Sequence, residues 1–186
     1  MKDNSSQRVV LVTGFGGFPG ARINPTISLI KSISASRRIA GRGIAIAAHV
    51  FRTSYAAVDA DLPKLLKTHR PNAVLMFGVA TRTPFLRIET RARNRKALLW
   101  PDAAGTSACE TSIQMGAPAS VRGRAPFQWV LRACRTARLP VRFSRDAGDY
   151  LCNYAYWRML QRAPAGMPVL FVHVPKVRIG SRRRRK

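Results

Sequence analysis

The strongest constraint on folding is the run at residues 73–79 (AVLMFGV), seven apolar or glycine residues with no polar face. A strand of this kind must be covered on both sides, which is the condition of an inner strand in a parallel α/β sheet. The rest of the chain supplies the other layers. Apolar, β-branched runs at 8–13 (RVVLVT), 43–51, 141–144 and 169–174 read as strands, and 85–93 reads as a strand of alternating faces. Between them lie helical stripes. One starts at Asn24-Pro25-Thr26, with Asn as N-cap and Pro at the first helical position, and carries Ile27, Ile30 and Ile33. A second carries Leu62, Leu65 and Leu66 and ends before Pro71. A third carries Phe127, Val130, Leu131 and Cys134, and a fourth opens at Asp146–Cys152 and carries Tyr156, Met159 and Leu160. Strand–helix alternation of this kind predicts an α/β domain around a largely parallel sheet. Residues 100–125, rich in Gly, Pro, Ser and Ala, read as a long loop.

The first strand runs into Gly14-Phe15-Gly16-Gly17-Phe18-Pro19-Gly20. A dinucleotide fingerprint starting at Gly14 would need its third glycine where Pro19 stands, and an acidic residue about 20 positions on. No Asp or Glu occurs between Asp3 and Asp59, and no Gly-Lys-Ser/Thr follows the loop, so the dinucleotide and P-loop readings both fail on detail. What remains is a turn presenting Phe15 and Phe18 at the carboxyl end of a strand, where ligands sit in open α/β sheets. On the residues alone both rings read equally well as core.

Three cysteines at wide spacing, without a CxxC pair, give neither a zinc site nor a disulfide framework. Cys152 falls in the first turn of a helix, where backbone N–H groups and the helix dipole favour a thiolate; a buried structural cysteine is the alternative. Cys134, mid-helix on an apolar stripe, fits that alternative directly. Of three histidines, His49 sits in an apolar strand and His69 in the last turn of a helix. His173 ends the last strand, at the sheet edge expected to carry the Cys152 helix start. Glu89 is a lone carboxylate among Arg87, Arg91 and Arg93, suited either to orienting a histidine base or to an ordinary Glu–Arg pair.

Four segments together resemble the pyroglutamyl-peptidase I family of cysteine peptidases. They are Thr13–Gly20 with Asn24-Pro25-Thr26, Leu86–Asn94 (LRIETRARN), Ala147–Tyr154 (AGDYLCNY) and His173-Val174-Pro175. The resemblance runs over nearly the whole chain. It implies an α/β/α sandwich around a twisted, mostly parallel sheet, with Cys152 as nucleophile, His173 as base and Glu89 as the group steadying that base. It further implies Phe15 and Phe18 flanking a pyroglutamyl ring, peptides with an N-terminal pyroglutamate as substrates, a homo-oligomer (often a tetramer in the family), and no metal or cofactor. The chain departs from the family in the order of Pro and Gly after Phe18, in a shortened stretch between Cys152 and His173, and in its basic end.

Residues 1–179 are expected to form one peptidase domain and 180–186 a disordered tail. The polar first eight residues and the lack of an apolar run near 20 residues point to a cytoplasmic protein, without a membrane span. The charge is extreme: 33 Lys+Arg against 8 Asp+Glu, a net +25. Dispersed arginines suit a solvated surface, and Ser181–Lys186 suits non-specific contact with polyanions. A nucleic-acid-binding protein would require something further, an exposed basic face with interleaved aromatics.

Overall fold

The computed structural model describes residues 7–17, 24–98, 101–106 and 109–176. Strands β1 (Arg8–Phe15), β2 (Ile44–Phe51), β3 (Ala73–Ala80), β4 (Leu86–Glu89), β7 (Val141–Ser144) and β8 (Val169–Pro175) form one sheet in the order β2-β1-β3-β8-β4-β7. Two short strands, β5 (Arg91–Arg93) and β6 (Ser120–Arg122), pair antiparallel outside it. The apolar run 73–79 lies in β3, an inner strand bonded to β1 and β8.

Residue parity decides which layer each side chain enters. Leu11, Phe15, Val74, Met76, Val169 and Phe171 point to the face covered by α3 (Tyr55–His69) and α5 (Leu151–Arg162). Val12, Phe77 and Val172 point to the opposite face, against Ile30 of α1 (Pro25–Ser34). On that same side Leu131 of α4 (Phe127–Thr136) closes over Ile88 and Val141. Helices therefore cover both faces, the three-layer α/β/α arrangement. The remaining helix, α2 (Arg37–Ala40), is a single turn.

The start of α1 follows the sequence signal: Asn24 Oδ1 accepts from the Thr26 N–H at 3.0 Å, and Pro25 takes the first helical position. Arg70, with φ 41°, ends α3 in the left-handed conformation.

Two expectations change. Residues 85–93 are not one strand, because Thr90 breaks them. Its N–H and its hydroxyl both donate to the Ser144 carbonyl at 2.8 Å, turning the chain out of the main sheet before β5. The segment 100–125 is not all loop, since it contains β6. Both strands of the small pair are three residues long, too short to display a period. The sheet is mostly parallel as expected, except that β4 runs antiparallel to β8.

Gly14 lies where β1 passes beneath α1. A Cβ there would stand 2.7 Å from Ile30 Cδ1 and 2.8 Å from Thr26 Oγ1. Gly14→Ala should destabilise the fold by about 1–3 kcal/mol, the usual cost of overpacking. Thermal unfolding should show a lower Tm; an unchanged Tm would mean that α1 does not bear on β1 as described.

Candidate active site

The carboxyl end of β8 places His173 between two neighbours, Gly78 of β3 on one side and Arg87 of β4 on the other. Because β4 runs antiparallel, Glu89 pairs with Phe171, two residues back along β8. The Glu89 side chain is thereby set beside the imidazole: His173 Nδ1 donates to Glu89 Oε1 at 2.8 Å. Both groups are buried, with 5% exposure for His173 and 0% for Glu89. A second cation meets the same oxygen, Arg87 Nη2 at 3.1 Å. The Arg87 guanidinium also donates to Ser144 Oγ at 2.8 Å and to the Asp146 carbonyl. It therefore ties the carboxylate to the segment that leads into α5.

Cys152 is the second residue of α5. The first intrahelical bond there runs from the Tyr154 N–H to the Tyr150 carbonyl, so the N–H groups of residues 151–153 lack helical acceptors, as at any helix start. Tyr150, the N-cap residue, gives no side-chain cap bond. This end of the helix is fixed by Asn153, which donates to the carbonyls of Arg93 and Arg95 and accepts from the Arg93 N–H. Gly148 supplies the turn before it, at φ +88°.

The thiol and the imidazole meet over Gly78. A Cβ on that glycine would lie 2.7 Å from Cys152 Sγ, 2.9 Å from His173 Cδ2 and 3.0 Å from His173 Nε2. The missing side chain is the space the pair occupies. With Nδ1 committed to Glu89, Nε2 is the nitrogen on the thiol side. Burial by itself pushes the imidazole pKa down. Hydrogen bonding to the Cys152 sulfur and the Glu89 carboxylate, together with their negative charges, outweighs it and raises the group to about 9.

These groups open onto a pocket of about 250 Å³ lined mainly by apolar atoms, with Phe15, Thr53, Val79, Tyr150, Cys152 and His173 around it. That is below the roughly 300–1,000 Å³ of drug-sized ligand sites, so the cavity suits a small group. Phe15 is largely buried and packs on Phe51 with ring centroids 5.7 Å apart. The glycine turn beside it is held by Asn24 Nδ2 donating to the Gly16 carbonyl at 3.0 Å, and by Thr53 Oγ1 donating to the carbonyls of Gly16 and Gly17. Phe18 lies outside the described residues.

The structure thus brings together Cys152, His173, Glu89 and Phe15. The other candidates lie apart. Cys134 is half-buried on α4, its thiol pKa raised by burial, and Cys109 is exposed. His49 faces Asp61 at 3.2 Å, and His69 ends α3. Among the described residues no group of three His, Cys, Asp or Glu is placed to hold a metal ion. Sequence reasoning missed Gly78, which looks like an ordinary member of an apolar strand. It noted Arg87 only as a neighbour on the Glu89 face. Nothing local in the sequence announces that β3 and β4 flank His173.

Two measurements follow from this geometry. Gly78→Ala should force Sγ and the imidazole apart and slow alkylation of Cys152 by iodoacetamide at neutral pH by about 10-fold or more. An unchanged rate in a folded variant would remove Gly78 from the site. The raised imidazole pKa means that the stability it contributes is complete below about 6.5 and is lost as pH rises through about 9. Glu89→Gln and Cys152→Ala should each move the His173 titration downward when followed by NMR, since each removes a partner of the cation. A titration that stays near 9 in both would contradict the hydrogen-bonded chain.

Comparison with known proteins places this geometry. A family model described as pyroglutamyl peptidase matches residues 8–180. The pyrrolidone-carboxylate peptidase of Gloeobacter violaceus is 32% identical over 168 residues, covering 89% of this chain and 80% of that protein. The enzyme of the same name from Thermococcus kodakarensis is 32% identical over 169 residues, with the same coverage. Among solved structures, the pyrrolidone carboxyl peptidase of Thermus thermophilus superposes with a TM-score of 0.77 at 32% identity, covering 89% of this chain and 84% of that one. That of Thermococcus litoralis gives 0.82 at 25% identity, covering 91% and 77%. Over nearly its whole length, in sequence and in fold, this chain belongs to the pyroglutamyl peptidase family of cysteine peptidases.

Proposed function

We propose that this chain removes an N-terminal pyroglutamyl residue from peptides, with Cys152 as nucleophile, His173 as acid and base, and Glu89 as the residue that fixes the imidazole. The observation that carries the reading is the line from buried Glu89 through buried His173 to half-buried Cys152, opening on a pocket too small for a large ligand. Pyroglutamate is a neutral five-membered lactam with no free amine. A small pocket lined mainly by apolar atoms, with Phe15 as an aromatic wall and its one carboxylate, Asp149, drawn to Arg95, suits such a ring. Phe18 is assigned to the same ring by family resemblance.

The steps follow from the positions. With the imidazole protonated, the Cys152 sulfur carries the negative charge and attacks the carbonyl carbon that joins pyroglutamate to the next residue. The carbonyl π electrons move onto oxygen, and the N–H groups at the start of α5, that of Cys152 among them, face the resulting oxyanion. As the C–N bond breaks, His173 Nε2 passes its proton to the departing amine, leaving a thioester on Cys152. Water then attacks the thioester while His173 takes its proton, and the sulfur leaves as pyroglutamate is released. Glu89 keeps Nδ1 protonated throughout, so that Nε2 alone exchanges protons. Arg87 offsets the charge of the buried carboxylate.

The proposal takes 1–179 as a single peptidase domain and the Arg-rich 180–186 as a tail able to touch polyanions. It includes a homo-oligomer and a cytoplasmic location, where the free thiol of Cys152 stays reduced. No helix among the described residues is long and apolar enough to cross a membrane.

A fluorogenic pyroglutamyl amide tests the reading. The wild type should cleave it and leave the corresponding alanyl and glutamyl amides intact. Cys152→Ala should fall to background, and Glu89→Gln should lose about 10²–10⁴-fold in kcat with less change in KM. A folded wild type that cleaves none of the three amides would overturn the proposal.

A further inference from the structure

On the opposite strand ends from the catalytic pocket, an open groove of about 990 Å³ runs between the small β5–β6 pair, the start of α4 and the end of β7. It shares no lining residue with the catalytic pocket. Three arginines face it, Arg91, Arg122 and Arg145, and all three are exposed. Two rings stand beside them: Trp129, the first-turn residue of α4 at 75% exposure, and Phe143 of β7 at 39%. No carboxylate lines the groove.

The arrangement costs the free protein energy. Arg91 and Arg122 are direct cross-strand partners in the antiparallel β5–β6 pair, and like charges in that position repel. None of the three arginines forms an ion pair among the described residues. Asp59, Asp61, Glu89, Asp102, Asp146 and Asp149 are bonded elsewhere, and the exposed Glu110 does not line the groove. An exposed tryptophan beside an uncompensated cation cluster meets the requirement that the charge of the chain leaves open, a basic face with interleaved aromatics.

From these observations we infer that the groove binds single-stranded nucleic acid, a second binding activity separate from the peptidase site. Phosphates lie against Arg91, Arg122 and Arg145, and unpaired bases stack on Trp129 and Phe143. An acidic peptide would satisfy the arginines but leave both rings unused. A duplex keeps its bases stacked on one another and out of reach of the rings.

Fluorescence anisotropy on the full chain, with a labelled dT12 strand, tests this across a salt series. The triple variant Arg91→Gln, Arg122→Gln, Arg145→Gln should bind at least 10-fold more weakly. Its slope of log affinity against log salt should be shallower by about 2, the release of three single-strand phosphate contacts. An equal charge change on the far edge of the molecule, Arg37→Gln, Arg38→Gln, Arg42→Gln, should leave the slope nearly unchanged. Trp129→Ala should weaken binding about 5- to 150-fold without changing the slope, and Trp129→Phe should retain most of it. Cys152→Ala should bind as the wild type does, and the groove variants should keep wild-type peptidase activity, which also reports that they fold. Equal losses from the two triple variants would reduce the effect to the overall field of a +25 chain and overturn the inference. Binding of a 12-bp duplex or of polyglutamate as tight as that of dT12, with Trp129→Ala inert, would overturn it as well. So would a change of oligomeric state in Trp129→Ala, which would make the groove a contact between copies of the chain.

Discussion

The bond between His173 Nδ1 and Glu89 Oε1 is the interaction around which this end of the molecule is arranged. A carboxylate with no solvent exposure is costly to bury, and an imidazole and a guanidinium offset that cost at a single oxygen. The pairing depends on one topological feature, the antiparallel insertion of β4 next to β8 in an otherwise parallel neighbourhood. A parallel β4 would put its carboxyl end, and Glu89 with it, at a different height along β8. The turn at Thr90 ends β4 directly after Glu89, so the strand delivers the carboxylate and then leaves the sheet.

Electrostatics and packing act on the thiol from two directions. Arg87 links Glu89 to Ser144 and the Asp146 carbonyl, so the carboxylate and the approach to α5 move as a unit. Asn153 fastens the same helix end to β5. Beneath the pair, Gly78 leaves the volume that Sγ and the imidazole fill. The approach of sulfur and imidazole is thus set by a missing side chain on a neighbouring strand as well as by the two groups themselves.

The two ends of the sheet carry opposite solutions to charge. At the pocket end each described charge has a partner: Glu89 and His173 are buried together with Arg87 beside them, and the more exposed Asp149 faces Arg95. At the other end the arginines of β5, β6 and the turn after β7 stand together without counter-ions among the described residues.

Much of this was legible in the chain itself. Apolar runs and helical stripes determine strand and helix order, since burial demands those periods whatever the partners, and the Asn24-Pro25 start and the helix ending at His69 follow from local backbone chemistry. The residue types at 89, 152 and 173 were also visible, as a carboxylate among arginines, a thiol at a helix start and an imidazole at a strand end. Only the folded chain decided that these three meet. The bend at Thr90, the reversed direction of β4 and the place of Gly78 under the thiol all depend on contacts between segments far apart in sequence. No local period encodes them, because hydrogen-bond register and packing space are properties of pairs of strands and not of either strand alone.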